Sequence, residues 1–420
     1  MKFTSIGHLI NKDLLYECHA KMEARKAAGI DGITKEDYEK NLSENITQLV
    51  ERLKDHSYKP KPARRVEIPK DNDKTRPLSI YCYEDKLVQE ALREILEAIF
   101  EPLFPDSMMG FRPHRGCHDA LRRLDHMIGG NKTGWVVDAD IKGYFDNLDH
   151  KRIIEFVQRK ITDPNILRLV RRMLKSGIIR DFRFEATELG SGQGSVCSPV
   201  IANIYMYYVI ARWFEEEVKP SCKGYAEIVI YADDFVACFQ YRNEARAFFD
   251  ALRNRLKCFG LELQEEKSRL IRFGRFAARD CLYWHEGTKP ETFDFLGFTH
   301  YCSKSRNAKF RVKRKTSKKK FAKKCKEMNK LIKNMRNLDI ADIIASLNQI
   351  LVGYYHYYGI TDNSKCINSF YQEVRRILFY WLNRRSQKKS YTWSGFCELL
   401  KAYPLATPKI YVNIPGASSI

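Results

Sequence analysis

Hydrophobic residues recur along this chain with two different periods, and each period predicts its own kind of element. A spacing of three to four residues predicts amphipathic helices, whereas short alternating or continuous apolar runs predict strands. The helical spacing occurs at residues 34–53, 87–99, 321–335, 340–351 and 370–382. The extended pattern occurs at residues 65–69, 76–80, 134–140, 227–231 and 235–239. Strands interleaved with helices in this order predict an α+β fold, in which helices are layered on a sheet.

Two of the predicted strand pairs are hairpins with very different turns. Residues 65–69 and 76–80 flank a polar turn and form a basic hairpin punctuated by proline. Residues 227–231 and 235–239 are apolar, and Ala232, Asp233 and Asp234 join them. The second hairpin is therefore expected to carry two carboxylates at its tip.

The charge of the chain indicates a polyanionic partner. It has 73 Lys and Arg against 52 Asp and Glu, which gives a formal net charge of +21. Such an excess favours nucleic acid as the partner. Residues 301–350 alone carry 16 basic and 3 acidic side chains, and the composition changes after Gly297. Because the helical apolar stripe continues through this stretch, we expect a folded basic helical domain after a boundary near residue 304, not a disordered tail.

Other classes of protein fit the composition poorly. The chain has no run of about 18 apolar residues and no signal-peptide pattern, so the sequence predicts a cytoplasmic protein without a membrane partner. Its 12 cysteines are scattered, and none of them forms a Cys-x-x-Cys pair. Neither a zinc module nor a redox motif is therefore indicated, and reduced core cysteines are expected.

Three acidic side chains have the arrangement needed for a two-metal centre. Asp140 ends an apolar strand, and Asp233 with Asp234 forms the tip of the acidic hairpin. Carboxylates at adjacent strand ends can hold two Mg²⁺ ions that stabilise the attacking and leaving oxygens of a nucleotidyl transfer. Taken alone, an Asp-Asp pair more often simply favours a turn. Asp138 competes with Asp140, since both would face one side of the strand, and we choose Asp140 because Phe145 follows it by five residues.

A series of ordered motifs runs nearly from end to end of the chain. They are RRVEIPK at 64–70, TRPL at 75–78, DKLVQ at 85–89, GFRP at 110–113, DIKGYFD at 140–146, QGSVCSP at 193–199, YADD at 231–234, EKSRL at 266–270 and FDFLGF at 293–298. Through these motifs the chain resembles the reverse transcriptases, also called maturases, that bacterial group II introns encode.

The resemblance implies a right-hand polymerase. Fingers and palm would consist of mixed helices around an antiparallel palm sheet, and an all-α thumb would follow. The implied domains are an N-terminal helical extension of the fingers at 1–60, the fingers and palm at 61–303, and a basic thumb or maturase domain at 304–420.

The resemblance also implies roles for residues around the acids. Asp140, Asp233 and Asp234 would bind the two Mg²⁺ ions, and Phe145 would exclude a ribose 2′-hydroxyl. The residues expected at the incoming dNTP are Lys70, Arg76, Gln193 and Gly194, and the glycine would permit close backbone approach. Taken alone, Phe145 equally fits a core aromatic, and the basic residues fit a solvated surface.

Further residues would contact nucleic acid. Phe295, Leu296 and Gly297 resemble the primer grip, although a bland apolar turn is the alternative. The residues expected at RNA or DNA backbones are Lys267, Arg384, Arg385, Lys388 and Lys389, with Trp381 and Trp393 close to the last four. The aromatic segment 354–358 is expected to be thumb core, not a platform for bases.

Some features depart from the family pattern. Gly192 stands before Gln193 where the family commonly has proline, which is expected to loosen the pocket. The chain also ends at Ile420 without a Cys-x-x-Cys or His-Asn-His tail, so an endonuclease-lacking form is expected.

The function expected first is an RNA-directed DNA polymerase that also binds its intron RNA and assists splicing and retromobility. Its expected partners are an RNA template, an RNA/DNA primer duplex and dNTPs. The alternatives are an intron-free relative in phage defence or DNA repair, and a non-catalytic RNA-binding splicing factor.

Overall fold

The computed structural model describes residues 1–69, 75–130, 132–180, 183–185, 189–192, 194–284, 287, 289–305, 307–388 and 390–414. Within them, the strands are β1 (Ala63–Pro69), β2 (Thr75–Ile80), β3 (Trp135–Asp140), β4 (Ile178–Arg180), β5 (Arg183–Glu185), β6 (Ala226–Tyr231), β7 (Asp234–Phe239), β8 (Arg269–Arg272), β9 (Phe293–Phe295), β10 (Phe298–Lys304) and β11 (Phe310–Thr316). The strands form three sheets in the described part of the chain.

Helices account for most of the remaining regular structure. They are α1 (Lys12–Lys21), α2 (Lys35–Glu39), α3 (Leu42–Lys54), α4 (Tyr83–Phe100), α5 (Cys117–Gly129), α6 (His150–Gln158), α7 (Pro164–Leu174), α8 (Ser198–Met206), α9 (Lys219–Ser221), α10 (Arg242–Cys258), α11 (Ala277–Tyr283), α12 (Lys318–Met335), α13 (Ile340–Tyr358), α14 (Ser364–Leu382) and α15 (Trp393–Ala402). Two π-helical turns, Tyr207–Ala211 and Phe214–Val218, lie between α8 and α9. No helix in the described residues is long and apolar enough to cross a membrane.

The N-terminal helices pack against α4 and follow the predicted pattern with one difference. Thr34 and Asp37 form the predicted capping box at the start of α2. The helix predicted over 34–53 is divided, because Asn41 leaves helical geometry and α3 begins at Leu42. The apolar face of α3 is buried as its spacing predicted.

The predicted basic hairpin is confirmed as β1 and β2. Arg65 pairs with Ser79 and Pro69 with Thr75. The hairpin belongs to a sheet of order β2-β1-β4-β5, in which β4 runs parallel to β1. The turn at 70–74 lies outside the described residues.

The palm sheet has the order β6-β7-β3-β8, with all pairs antiparallel. Alternate residues of each strand enter two different cores, because successive side chains of a strand point to opposite faces. Val137 and Ala139 join the large core formed with the N-terminal helices and with α6, α7, α8 and α10. Val136 joins a second core with α5 and the sheet β11-β10-β9. Protein therefore covers the palm sheet on both faces, and the predicted α+β fold is confirmed.

The C-terminal region is helical from α12 onward, and the helices predicted there are confirmed with longer bounds for α13 and α14. The boundary predicted between 303 and 304 falls within β10, and β10 pairs with β11 along its whole length. We therefore propose that the domain division lies between β11 and α12. The far end of the chain folds back, since Val412 pairs with Ile360, and Ile414 is buried in the second core.

Candidate active site

The strand register brings the predicted acids to one edge of the palm sheet. Asp140, the last residue of β3, lies opposite Asp234, the first residue of β7. The backbone N–H of Ile141 donates to the Asp233 carbonyl at 3.4 Å. Ala232 adopts a φ of +59°, which lets the chain reverse tightly between β6 and β7. Asp140, Asp233 and Asp234 are thus close together, as the sequence predicted.

The carboxyl of Asp234 lies in an unfavourable electrostatic environment. Desolvation raises its pKa well above the ordinary value, and repulsion from Asp138, Asp140 and Asp233 raises it further. A hydrogen bond from the Leu296 backbone N–H acts in the opposite direction. An additional positive charge at this edge would therefore stabilise the ionised carboxyl.

Asp138, the competitor of Asp140, occupies a different environment. It is buried in the middle of β3, opposite Val236 and Arg269 instead of the hairpin tip. Burial raises the pKa of Asp138 to about 7, although Arg269 at 3.6 Å opposes this shift. Asp138 lies two residues before Asp140 in β3, and its negative charge raises the pKa of Asp234.

Lys267 provides a cation at the edge of this cluster. Its ammonium group forms an ion pair with the Asp140 carboxylate, while its side chain remains 63% exposed. The backbone brings it there, because the Gln264 N–H donates to the Asp140 carbonyl and the Asp140 N–H donates to the Ser268 hydroxyl. The sequence predicted that Lys267 contacts an RNA or DNA backbone, but it did not predict the ion pair with Asp140.

The chemistry of the acids fits a divalent cation. Their oxygens are the donors that Mg²⁺ prefers, and their mutual repulsion is the condition that a bound cation relieves. No group of three or more His, Cys, Asp and Glu side chains among the described residues is arranged closely enough to hold a metal ion. Lys267 is paired with Asp140, one of these acids.

Phe145 lies directly beside the strand end. It follows Gly143, which has a φ of +57°, and belongs to the 3-10 turn Tyr144–Asp146. Its half-buried ring meets the ring of Phe111 edge to face, with centroids 6.0 Å apart. The sequence indicates Phe111 only as part of the GFRP motif and does not predict its contact with Phe145.

The GFRP motif also supports the acidic hairpin through Gly110. A Cβ added to Gly110 would lie 2.5 Å from the backbone nitrogen of Ala232 and 3.0 Å from the carbonyl carbon of Tyr231. The Gly110 carbonyl accepts a hydrogen bond from Asn203 at 2.9 Å, and the Met109 N–H donates to Ile230 at 2.8 Å. The glycine therefore permits close contact between this segment and the hairpin tip.

The predicted nucleotide site is divided between described residues and others. Lys70, Gln193 and the side chain of Arg76 lie outside the described residues. Gly194 has a φ of +111°, and a Cβ there would overlap the Ser79 carbonyl oxygen of β2. Within the described structure Gly194 lies against the basic hairpin, and its role at the dNTP stays a prediction.

Gly192 does not loosen its surroundings, contrary to the expectation from the missing proline. Its φ is +64°, which proline cannot adopt, and a Cβ there would overlap the hydroxyl of the buried Tyr81. Its carbonyl accepts from the Ser195 N–H at 3.0 Å and from the Ser198 hydroxyl at 3.1 Å. The tyrosine thus fills the space beside the glycine.

We expect Gly192→Pro to lower the free energy of unfolding by about 2 to 3 kcal/mol, because the ring is incompatible with this backbone. Gly192→Ala should also destabilise the protein. The double variant Gly192→Ala/Tyr81→Phe should recover part of that loss, because the overlapping hydroxyl is removed. Denaturant titration of the four proteins would measure these changes. A Gly192→Pro variant as stable as the parent protein would contradict the assignment.

The predicted primer-grip segment is a tight turn between β9 and β10. Leu296 and Gly297 have φ values of +50° and +80°. The Leu296 N–H donates to the carboxyl of Asp234. The Leu296 carbonyl accepts a hydrogen bond from the Tyr357 hydroxyl at 2.9 Å. The turn therefore contacts an acid of the cluster on one side and α13 on the other. The aromatic segment 354–358 is mainly core, as expected, but Tyr357 also holds this turn.

The predicted backbone-binding residues of the C-terminal region lie after α14. The Arg384 guanidinium stacks on Tyr380, 3.6 Å from the ring centroid, whereas Trp393 lies beneath Arg375 at 5.5 Å. The aromatic support predicted from Trp381 and Trp393 is therefore provided to Arg384 by Tyr380. Arg385 donates to the Leu338 carbonyl at 2.9 Å. Lys388 is exposed, and Lys389 lies outside the described residues.

Comparison with known proteins places this fold and site in a family. Residues 68–300, more than half of the chain, match the reverse transcriptase (RNA-dependent DNA polymerase) family. The chain therefore belongs to the reverse transcriptase family. Residues 318–396 also match the group II intron maturase-specific domain. Together the two matches are consistent with the resemblance to group II intron-encoded reverse transcriptases that the motifs indicated.

Individual relatives agree with this classification. The chain is 40% identical over 201 residues to the group II intron-encoded protein LtrA of Lactococcus lactis. The matched segment covers 48% of this chain and 33% of LtrA. The chain is 36% identical over 181 residues to the protein YkfC of Escherichia coli, covering 42% and 48%. It is 35% identical over 199 residues to an uncharacterised 91 kDa protein in a cob intron of Schizosaccharomyces pombe, covering 47% and 24%. The matched segment spans less than half of each relative.

Proposed function

We propose that the protein is an RNA-directed DNA polymerase that extends a primer on an RNA template by two-metal nucleotidyl transfer. The observation that carries this proposal is the register of the palm sheet. It sets Asp140 opposite Asp234, and Asp233 lies in the adjoining turn. The affiliation with reverse transcriptases supports the same chemistry.

Asp140, Asp233 and Asp234 would hold two Mg²⁺ ions. When bound, the ions supply charge stabilisation for the attacking 3′-oxygen and the departing pyrophosphate. The protein itself orients the carboxylates: the Leu296 N–H fixes Asp234, and the strand pairing fixes Asp140. Lys267 is paired with Asp140 and would compete with a metal ion for that carboxylate.

The other predicted residues would select and position substrates. Phe145, braced by Phe111, would exclude a ribose 2′-hydroxyl. Lys70, Arg76 and Gln193 would contact the incoming dNTP, and Gly194 would lie beside β2. The turn formed by Phe295, Leu296 and Gly297 would brace the primer end.

The C-terminal basic region would hold the template–primer duplex and the intron RNA. Its match to the maturase-specific domain supports a role in splicing. The exposed cations of α12, together with Arg384, Arg385, Lys388 and Lys389, provide charge that suits phosphate contacts. Retromobility would follow from copying that RNA into DNA.

Primer extension tests the polymerase function. A DNA primer annealed to an RNA template should be extended with dNTPs and Mg²⁺, and the Asp233→Asn variant should fail to extend it. Folding of the variant is checked by circular dichroism. Absence of extension by the parent protein would refute the proposal, and extension by Asp233→Asn would refute the metal assignment.

We expect Lys267→Met to bind Mn²⁺ up to about fivefold more tightly, because the exposed ion pair that competes with the metal is lost. Titration followed by electron paramagnetic resonance, without nucleic acid, would measure this affinity. Lys142→Met is the matched control, since it removes an equal charge from an exposed lysine paired with Glu262. Equal affinities for Lys267→Met and the parent protein would show that Lys267 does not compete.

A further inference from the structure

A groove of about 710 Å³ lies between α12 and α14, away from the acidic cluster. Its volume is within the range of small-ligand pockets, roughly 300 to 1,000 Å³. Its lining includes Asn329 on α12 and Tyr380, Trp381 and Arg384 on or just after α14. None of the acids or predicted dNTP-contacting residues lines it.

The groove presents aromatic rings that are partly open to solvent. Tyr380 is 45% exposed, although it belongs to a helix whose other face is buried in the C-terminal core. The central guanidinium carbon of Arg384 lies over this ring, 3.6 Å from the centroid. An exposed tyrosine under a guanidinium is a stacking surface, because both groups have planar faces that can sandwich or exchange with a nucleobase.

The second ring of the groove is held in a fixed position. The Trp381 indole N–H donates to the Asn329 amide oxygen at 2.7 Å. Lys333 and Arg336 lie over the same ring at 5.6 and 5.9 Å. The indole is therefore oriented by a hydrogen bond and surrounded by cations before any ligand arrives.

Polar groups in the groove suit a nucleotide. Because the Asn329 oxygen accepts the indole N–H, its NH₂ group is a donor for the edge of a base. Lys326, Arg376 and Arg384 supply three positive charges along the groove, whereas Glu373, which is paired with Arg376, supplies one negative charge. A ligand with a flat aromatic body and a flanking phosphate matches this arrangement of charge.

We propose that this groove binds one unpaired nucleotide of RNA, with its base stacked on Tyr380 and its phosphate near Lys326 and Arg384. A base inside a continuous duplex cannot enter, since its faces are already covered by its neighbours. The groove therefore distinguishes RNA that has a bulged or looped nucleotide from uninterrupted duplex. This inference rests on the proposed function in that it assumes an RNA partner.

The test compares two RNA hairpins whose strands are joined by the same non-nucleotide linker. They differ by one added nucleotide, so that one is fully paired and the other has a single bulged nucleotide. Fluorescence anisotropy of the full chain at fixed salt should show about tenfold tighter binding of the bulged hairpin. In Tyr380→Ala this preference should fall below about twofold, because the stacking surface is lost. Affinity for the paired hairpin should change much less, since Lys326 and Arg384 remain.

A second measurement reports stacking directly. With 2-aminopurine as the bulged base, binding to the parent protein should quench its fluorescence, and binding to Tyr380→Ala should not. Tyr403→Ala is the matched control, because Tyr403 is 40% exposed and lies outside the groove. It should keep both the preference and the quenching.

Equal binding of the two hairpins by the parent protein, or a bulge preference that survives in Tyr380→Ala, would overturn the inference. Primer extension by the same preparation separates the two proposals. A bulge preference without extension would leave the groove assigned and refute polymerisation. Extension without a bulge preference would refute the groove alone.

Discussion

Asp234→Asn is expected to reduce primer extension by a factor on the order of 10³ and to raise the melting temperature of the metal-free protein. The two effects have one cause. Asp234 would bind the metal, and its ionisation is unfavourable without it because of desolvation and repulsion from Asp138, Asp140 and Asp233. Asparagine keeps the shape and removes the charge.

The sign of the stability change follows from the raised pKa. A carboxyl whose folded pKa lies above its unfolded value favours the folded state while protonated, and this contribution is lost as pH rises toward the folded pKa. Above the unfolded value, near 4, Asp234 therefore makes the parent protein progressively less stable, whereas Asp234→Asn lacks this loss. The advantage of the variant should be smallest in acid and should shrink when Mg²⁺ is added.

Thermal unfolding with and without Mg²⁺, together with primer extension, would measure both effects. Glu262→Gln is the control, because Glu262 is 67% exposed in its side chain and near the palm edge but outside the cluster. It should change neither quantity appreciably. A metal-free Asp234→Asn protein less stable than the parent would show that repulsion does not dominate this site.

The second large effect is expected for Gly110→Ala, which should lower kcat/KM for primer extension by about tenfold to a hundredfold. The added methyl would be 2.5 Å from the Ala232 nitrogen, so the hairpin tip has to move. Displacing Asp233 and Asp234 by a fraction of an ångström misaligns the groups proposed to hold the metal ions. Steady-state kinetics should show the lower kcat/KM, and the melting temperature should fall as well.

Gly129→Ala provides the comparison for this substitution. Gly129 ends α5, and a Cβ there would meet no atom within 4 Å. Alanine also favours helix over glycine, so Gly129→Ala should be neutral or slightly stabilising and should keep full activity. If Gly110→Ala behaved like Gly129→Ala, the hairpin tip would be more tolerant than the structure indicates.

The sequence predicted those parts of the fold that depend on local pattern. The hairpins at 63–80 and 226–239 and the long helices were identified because their apolar spacing and turns are local features. The grouping of Asp140 with Asp233 and Asp234 was also predicted, since acids at strand ends of one sheet meet at an edge. The break before α3 was missed, because apolar spacing continues across it.

Contacts between distant segments could not be predicted in the same way. The ion pair of Lys267 with Asp140 depends on the path of residues 262–268 beside β3. The fit of Gly192 against Tyr81 and of Gly110 against Ala232 likewise requires three-dimensional positions. A glycine in a sequence indicates freedom of the backbone, but it does not identify the atom that needs the space.

The return of the chain end to the palm has a consequence for synthesis of the protein. His118 on α5 contacts the Tyr357 carbonyl at 2.9 Å, and Ile414 completes the core beneath the palm sheet. A ribosome therefore has to release residues up to 414 before this core can close. Contacts so distant in sequence slow folding and leave apolar surface open meanwhile. Nascent chains stalled before residue 357 should accordingly recruit chaperones and be cut by proteases within the palm, whereas those that include residue 414 should resist.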